Sequence, residues 1–221
     1  MTTPTTDPLS RTSAARSRAG VRPGADGRLA GVVLMTGCVL ATLGFLGVSL
    51  TMHGPDAAWP TDPLWQPMYG VALAGNLLVV LGLPAILVVH GRAARRLTLV
   101  GYVGIFAPLA MLNVAETTIE AFMKPYLAGH GGVPAQIPAG LNAFEAVALL
   151  LLIPGAVCLA VAVFRARVLP LWVGVALLAS LVGGLLLHAG PTAFVSDYCL
   201  FAALFCFGLR AAHTRAVPAA S

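Results

Sequence analysis

Charge is scarce in this sequence. Only 10% of its 221 residues are Asp, Glu, Lys or Arg, while 58% are hydrophobic; soluble domains carry about 25% charged residues. A water-soluble fold of this length could not cover so much apolar side chain, and the composition excludes one. Lysine is reduced to Lys124. The four cysteines, Cys38, Cys158, Cys199 and Cys206, fall inside apolar segments without any Cys-x-x-Cys pair. They read as small packing residues, not as zinc or dithiol centres. There is no Gly-x-x-x-x-Gly-Lys-[Ser/Thr] loop, no His-Glu-x-x-His, no Gly-x-Ser-x-Gly elbow and no repeated Asp-rich diphosphate motif. ATP hydrolysis, zinc proteolysis and serine hydrolysis therefore lack their familiar signatures.

What is present is apolar length. The mean hydropathy is +0.89, and Ala, Gly and Leu dominate, with Arg as the usual base, as in a GC-rich bacterial genome. Six apolar stretches lie at 29–52, 68–90, 98–123, 141–164, 168–189 and 192–212, each near the roughly 20 residues that a membrane helix needs. They lack the strict alternation of barrel strands, so helices are expected. Residues 1–27, rich in Thr, Ser, Pro, Arg and Gly, lack large apolar side chains and read as a disordered cytoplasmic tail. They show no signal-peptide pattern. Residues 28–212 form the transmembrane domain, and 213–221 form a second short cytoplasmic tail.

Loop charge sets the orientation, because basic residues collect on the cytoplasmic side. Arg11, Arg16, Arg18, Arg22 and Arg28 precede the first stretch. Arg92, Arg95 and Arg96 follow the second, Arg165 and Arg167 the fourth, and Arg210 and Arg215 the sixth. Six spans place all of these on one side. The other loops hold His53, Asp56, Asp62 and His130, with Lys124 as their only strong base. The same distribution explains the net charge of +5 without nucleic acid as a partner. The prediction is an all-α, polytopic membrane helical bundle in the cell (inner or plasma) membrane, with six transmembrane helices and N- and C-termini cytoplasmic.

Trp59, Trp65, Tyr69, Tyr126 and Trp172 suit interfacial aromatic belts. Gly44 and Gly47, Gly101 and Gly104, and Gly183 and Gly184 would let helix backbones approach closely. Pro84, Pro108 and Pro154 lie within the second, third and fourth stretches, where bends would open a cavity if membrane helices did not simply absorb them.

Ionisable groups inside a membrane are costly, so each suggests function. Asn113, Glu116 and Glu120 in the third stretch share one face of an α-helix, with Thr117 beside it. Glu145 lies about one turn below the outer surface in the fourth stretch, and Asp197, with Ser196 and Tyr198, does so in the sixth. Asn76 is deeper in the second, and His188 closes the fifth. These groups predict one polar pocket in the extracytoplasmic half. Glu116, Asp197 and Glu145 are its candidate catalytic residues; Asn76, Asn113, Glu120, Tyr198 and His188 are candidate substrate contacts. Phe144, Phe194, Tyr198 and Phe201 would line it and stabilise cations. Plainer roles stay open: Glu120 and Glu145 as interfacial residues, Asn76 and Asn113 as interhelical hydrogen-bond donors, and His188, beside Gly190 and Pro191, as a loop end. Carboxylates with His188 could ligate a divalent ion, but no compact zinc motif supports a metal site, and the sequence leaves any cofactor unknown.

The run Arg165-Ala166-Arg167-Val168-Leu169-Pro170-Leu171-Trp172, a basic loop passing through Pro and Trp into a helix, resembles a feature of an uncharacterised family of small bacterial six-helix integral membrane proteins. That resemblance covers about residues 29–212 and implies the architecture without an activity. Glu116 and Asp197 are similar to the buried acids of the small integral-membrane terpene cyclases. Those cyclases usually have one more helix and surround their Glu with aromatics, unlike Asn113-Val114-Ala115-Glu116-Thr117-Thr118 here. The expectation is a membrane protein whose acidic pocket cyclises or isomerises a small lipophilic substrate. The alternatives are a proton- or cation-coupled carrier and a non-catalytic membrane partner or immunity protein. Its expected contacts are membrane lipids and a small lipophilic molecule.

Overall fold

Long apolar runs leave the backbone no solvent to bond, so each N–H must find a carbonyl within its own segment, and helices result. In the computed structural model, which describes residues 23–90, 94–132, 139–186 and 190–213, no strand occurs among those residues. The helices are α1 (Pro23–Ser49), α2 (Trp65–Gly82), α3 (Ala85–Val89), α4 (Arg95–Pro108), α5 (Lys124–Gly129), α6 (Ala139–Ala166), α7 (Leu171–Leu186) and α8 (Phe194–His213). Two π-helical segments, Leu109–Glu116 and Ile119–Met123, join α4 to α5 into one rod over Arg95–Gly129. Four helices, Asp26–Ser49, Arg95–Gly129, Ala139–Ala166 and Phe194–His213, are long and apolar enough to cross a membrane. The fifth apolar stretch forms a helix of only 16 residues. The second is broken at Leu83–Pro84, where the proline caps α3.

The first helix starts earlier than its apolar pattern suggests, with Pro23 in the first turn and Asp26 following. Proline suits that position because the lost N–H has no helical partner there, and the aspartate complements the helix dipole. Residues 23–27, expected in the tail, are therefore helical. The Arg-Ala-Arg-Val-Leu-Pro run makes the tight reversal from α6 to α7. α6 ends at Ala166, Arg167 takes φ +50° and donates its N–H to Val163 O at 3.1 Å, as a left-handed helix terminator does.

The elements gather into six antiparallel rods, α2 with α3 and Arg95–Gly129 each counting as one. Each rod packs on the next in sequence, and the last packs on the first, closing a ring. The tightest seam joins α1 to α2. Leu34 meets Gly82, Gly37 meets Val79, Ala41 meets Gly75 and Gly44 meets Ala72. These contacts step alternately by three and four residues, each with a glycine on one side, the spacing of coiled-coil packing. α8 joins the seam where Gly31 faces Gly208. Of the expected glycine contacts, Gly44, Gly101 and Gly104 meet neighbouring backbone and Gly47 meets the Met68 side chain. Gly183 approaches Ser196 closely, a Cβ there lying 3.3 Å from Ser196 Cβ, and Gly184 meets the same residue at an ordinary 3.9 Å.

The outside of the ring is apolar. Leu81, Leu150 and Leu186 are 69%, 69% and 72% exposed, which in water would mark an interaction surface and in hydrocarbon costs nothing. Trp172 and Tyr126 are exposed as belt residues should be, but Trp65 and Tyr69 are buried. They share the stripe Trp65, Tyr69, Ala72, Asn76 and Val79 on α2, every member of which is buried. The belt assignment therefore fails for these two: the stripe turns them into the bundle.

Candidate functional site

The rod Arg95–Gly129 carries the site because it changes helical form there. Pro108 ends α4 and cannot donate a backbone N–H, and from Leu109 the bonding shifts to the wider π pattern. Such insertions are frequent at functional sites. The geometric effect is specific. At 3.6 residues per turn, positions four apart drift by about 40°, so the row Pro108, Leu112, Glu116 and Glu120 would swing about 120° along an α-helix. The wider π turns rotate less per residue and bring the row back. All four residues, with Leu109, Asn113 and Thr117 beside them, front one cavity.

That cavity has a volume of about 490 Å³, within the 300–1,000 Å³ typical of ligand sites. All six rods contribute to its wall. Glu145, Leu149 and Leu152 come from α6, Ser180 and Gly184 from α7, Phe194, Ser196, Asp197 and Leu200 from α8, Phe45 from α1 and Tyr69 from α2. Glu116, Glu120, Glu145 and Asp197 thus face the same space. The surface that Glu116 exposes opens onto it, while Glu145 and Asp197 are half-buried. Among the described residues, no Lys, Arg or His lines it.

Side chains from α2 hold the π segments in place. Asn76 Nδ2 donates to Asn113 O and to Thr117 Oγ1, both at 3.1 Å, and Trp65 Nε1 donates to Glu120 O at 3.0 Å. Thr117 Oγ1 itself donates to Asn113 O, and Thr118 Oγ1 donates to Val114 O at 2.7 Å. Carbonyls displaced from regular helical bonding thereby find donors, as buried polar groups must. Asn113 Nδ2 donates to Asp197 Oδ1 at 3.1 Å, fixing one carboxylate oxygen. Glu120 forms an ion pair with Lys124 one turn on. Among the described residues Glu116 has no hydrogen-bond partner, and its carboxyl is uncommitted.

The remaining expected contacts fall elsewhere. Asn76 is buried behind the wall as an interhelical donor. Tyr198 points away, into an apolar groove between α1 and α8 lined also by Cys38, Thr42 and Phe205. Phe194, Ser196, Asp197 and Leu200 form the cavity face of α8, and Tyr198 lies one step further round, on the side toward α1. Phe144 is exposed on α6, and Phe201 is buried behind the wall, 6.1 Å from the ring of Phe45. Of the expected aromatic lining only Phe194 is present. It stacks on Phe45 at 5.0 Å, and Phe45 meets Tyr69 edge-on at 6.3 Å. Phe45 and Tyr69 carried no polar neighbour in sequence to single them out, although the stripe through Asn76 contained the signal for Tyr69. His188 lies outside the described residues. Among the described residues, no three His, Cys, Asp or Glu side chains converge as a metal site.

Fold and site together define an all-helical, membrane-type bundle around an acid-lined cavity. Comparison with protein-family models, curated proteins and solved structures finds no match to the chain.

Proposed function

We propose that this is a six-span enzyme of the cell membrane, with both termini cytoplasmic, that uses acid–base chemistry to cyclise or isomerise an uncharged olefinic lipophile, as terpene-type cyclases do. One observation carries the reading: carboxyl groups from three rods, an apolar floor and an aromatic wall share a single cavity. A phosphate-bearing substrate would find no counter-charge among the described lining residues. A neutral one that becomes cationic finds carboxylates and the faces of Phe45, Tyr69 and Phe194.

In the proposed cycle Glu116 gives its proton to one alkene carbon, forming a C–H bond and leaving positive charge on the neighbouring carbon. A second alkene closes on that centre, or the charge simply migrates. Asp197, oriented by Asn113, removes a proton from the adjacent carbon to restore a double bond. The product is an isomer of the substrate; Asp197 releases its proton to water and Glu116 takes one from water, which closes the cycle. With farnesol or geranylgeraniol supplied to the reconstituted protein in D2O, the expected product is an isomer of the substrate in which one carbon-bound hydrogen has been replaced by deuterium. Unchanged olefin with gradient-dependent flux across the vesicle would replace this reading with the carrier. Neither turnover nor flux would leave a non-catalytic partner.

The topology is testable on its own. Rising about 1.5 Å per residue, the 35 residues of Arg95–Gly129 reach about 50 Å, well beyond a hydrocarbon core of about 30 Å. With Arg95 and Arg96 at the cytoplasmic interface, Glu116 falls near the outer edge of the core and Lys124 beyond it. Alkaline phosphatase fused after Asp62 or His130 is expected to be active. Fused after Arg167 or Ser221, it is expected to be inactive, with a fluorescent protein bright at the same positions. An active phosphatase at Ser221 beside an active one at Asp62 would require an odd number of spans.

A further inference from the structure

The antiparallel rods carry Arg28, Arg95, Arg96, Arg165, Arg167 and Arg210 to one end of the bundle. Among the described residues the acid at that end is Asp26, on α1, and the adjoining sequence stretches 1–22, 91–93 and 214–221 add Asp7 alone. Charge there is far from balanced. Local preference does not explain where these arginines stand. Arg95 and Arg96 occupy the first turn of α4, behind an N-cap Ala94 whose side chain makes no capping bond, and the helix dipole disfavours a cation at that end. Arg167 holds φ +50°, a conformation usually given to glycine. Orienting the spans requires basic loops, but not arginine at these particular positions.

Packing brings the misplaced arginines together. From the contact of Gly101 with Leu159, α4 runs back to Arg96 and α6 runs on to Arg165 over nearly the same number of residues, so the two stand at one level. Arg167 follows in the reversal into α7. All of them, with Arg95, are exposed. An apolar surface continues from each side of this cluster. Leu99, Val100 and Val103 lie three, four and seven residues from Arg96, on its own helical face, and all three are exposed. Leu171 and Trp172, just beyond Arg167, are exposed as well.

We infer that the third and fourth rods and the start of α7 form a docking site for an anionic phospholipid. Its phosphate lies among Arg96, Arg165 and Arg167, and its chains run along Leu99, Val100 and Val103. Guanidinium groups hold phosphate oxygens through paired N–H bonds. A lipid fits better than a soluble anion because the charged cluster and the apolar stripe are continuous, and a soluble anion would use only the first. The α1 and α8 side of the same end is a weaker competitor, since Asp26 stands beside Arg28 there. The site is separate from the cavity and independent of the chemistry proposed for it.

The test is native mass spectrometry of the full chain in detergent, titrated with phosphatidylglycerol or phosphatidylcholine. Phosphatidylglycerol is expected to bind at least about ten-fold more tightly. Arg96→Gln combined with Arg165→Gln is expected to weaken it by about 30-fold, the attraction usual for two arginines at a membrane surface, with phosphatidylcholine unchanged. Arg28→Gln combined with Arg210→Gln removes the same charge from the other side and is expected to cost less than about three-fold. Should the first double variant fail to fold, Arg165→Gln alone, with an expected loss of about five-fold, carries the comparison against Arg28→Gln. Equal losses on the two sides would overturn the site, leaving only diffuse positive charge. Equal affinity of the wild-type protein for the two lipids would also overturn it, as would displacement of phosphatidylglycerol by millimolar inorganic phosphate, which would mark a soluble anion as the occupant.

Discussion

Glu116→Gln is expected to lower turnover by about 10²- to 10⁴-fold, the contribution usual for a general acid, while the protein stays folded. The two halves of this expectation have separate causes. Glutamine matches glutamate in shape but has no proton of comparable acidity to give. Glu116 makes no hydrogen bond among the described residues, so no partner is orphaned by the change and stability should move by less than about 0.5 kcal/mol. Asp197→Ala is expected to reduce turnover as well, but with a stability cost, because Asn113 Nδ2, which donates to Oδ1, loses its acceptor. Thermal unfolding in detergent, measured beside turnover, separates the effects. Full activity in well-folded Glu116→Gln protein would remove Glu116 from the site.

Gly75→Leu is expected to destabilise the bundle by more than about 3 kcal/mol, above the usual range for overpacking. A Cβ at this position would meet Ala41 N and lie 2.7 Å from Ala41 Cα. These are backbone atoms, which cannot rotate aside as a side chain would. α1 and α2 must then separate along the seam from Leu34–Gly82 to Gly44–Ala72, losing close packing at every step. In a membrane that packing is a main source of helix association, since lipid is as apolar as leucine. Gly70→Leu is the matched control, because nothing lies within 4 Å of a Cβ there. Equal unfolding midpoints for the two variants would show that the seam contributes little.

The helices were legible in the sequence because their cause is local. An uninterrupted apolar run must satisfy its own backbone, and span length and arginine placement follow from composition alone. The grouping of Asn113, Glu116, Glu120, Glu145 and Asp197 was legible for a related reason: a carboxyl in an apolar segment is conspicuous, and span length fixes its depth. Tyr198 and Phe201 were misjudged because depth does not specify which face of α8 a residue occupies. Trp65 and Tyr69 were placed at the interface by residue type, whereas their i, i+4 spacing with the Asn76 stripe assigned them to the interior. Gly37, Gly75 and Gly82 were overlooked because a seam has two sides, and neither shows a motif without its partner.

The sequence by itself determined that the chain is helical and apolar, where its charges lie along the rods, and which few acids stand among the apolar residues. Those properties depend on neighbours in the chain. Only the tertiary structure decided that Pro108 begins a π-helical stretch that holds the row from Pro108 to Glu120 on one cavity, with Asn76 and Trp65 bonding the carbonyls it frees. It also decided that the third and fourth rods meet closely where Gly104 faces Gly155. Both features arise between segments distant in sequence, where packing and hydrogen bonding across the bundle outweigh the local preference for a straight α-helix.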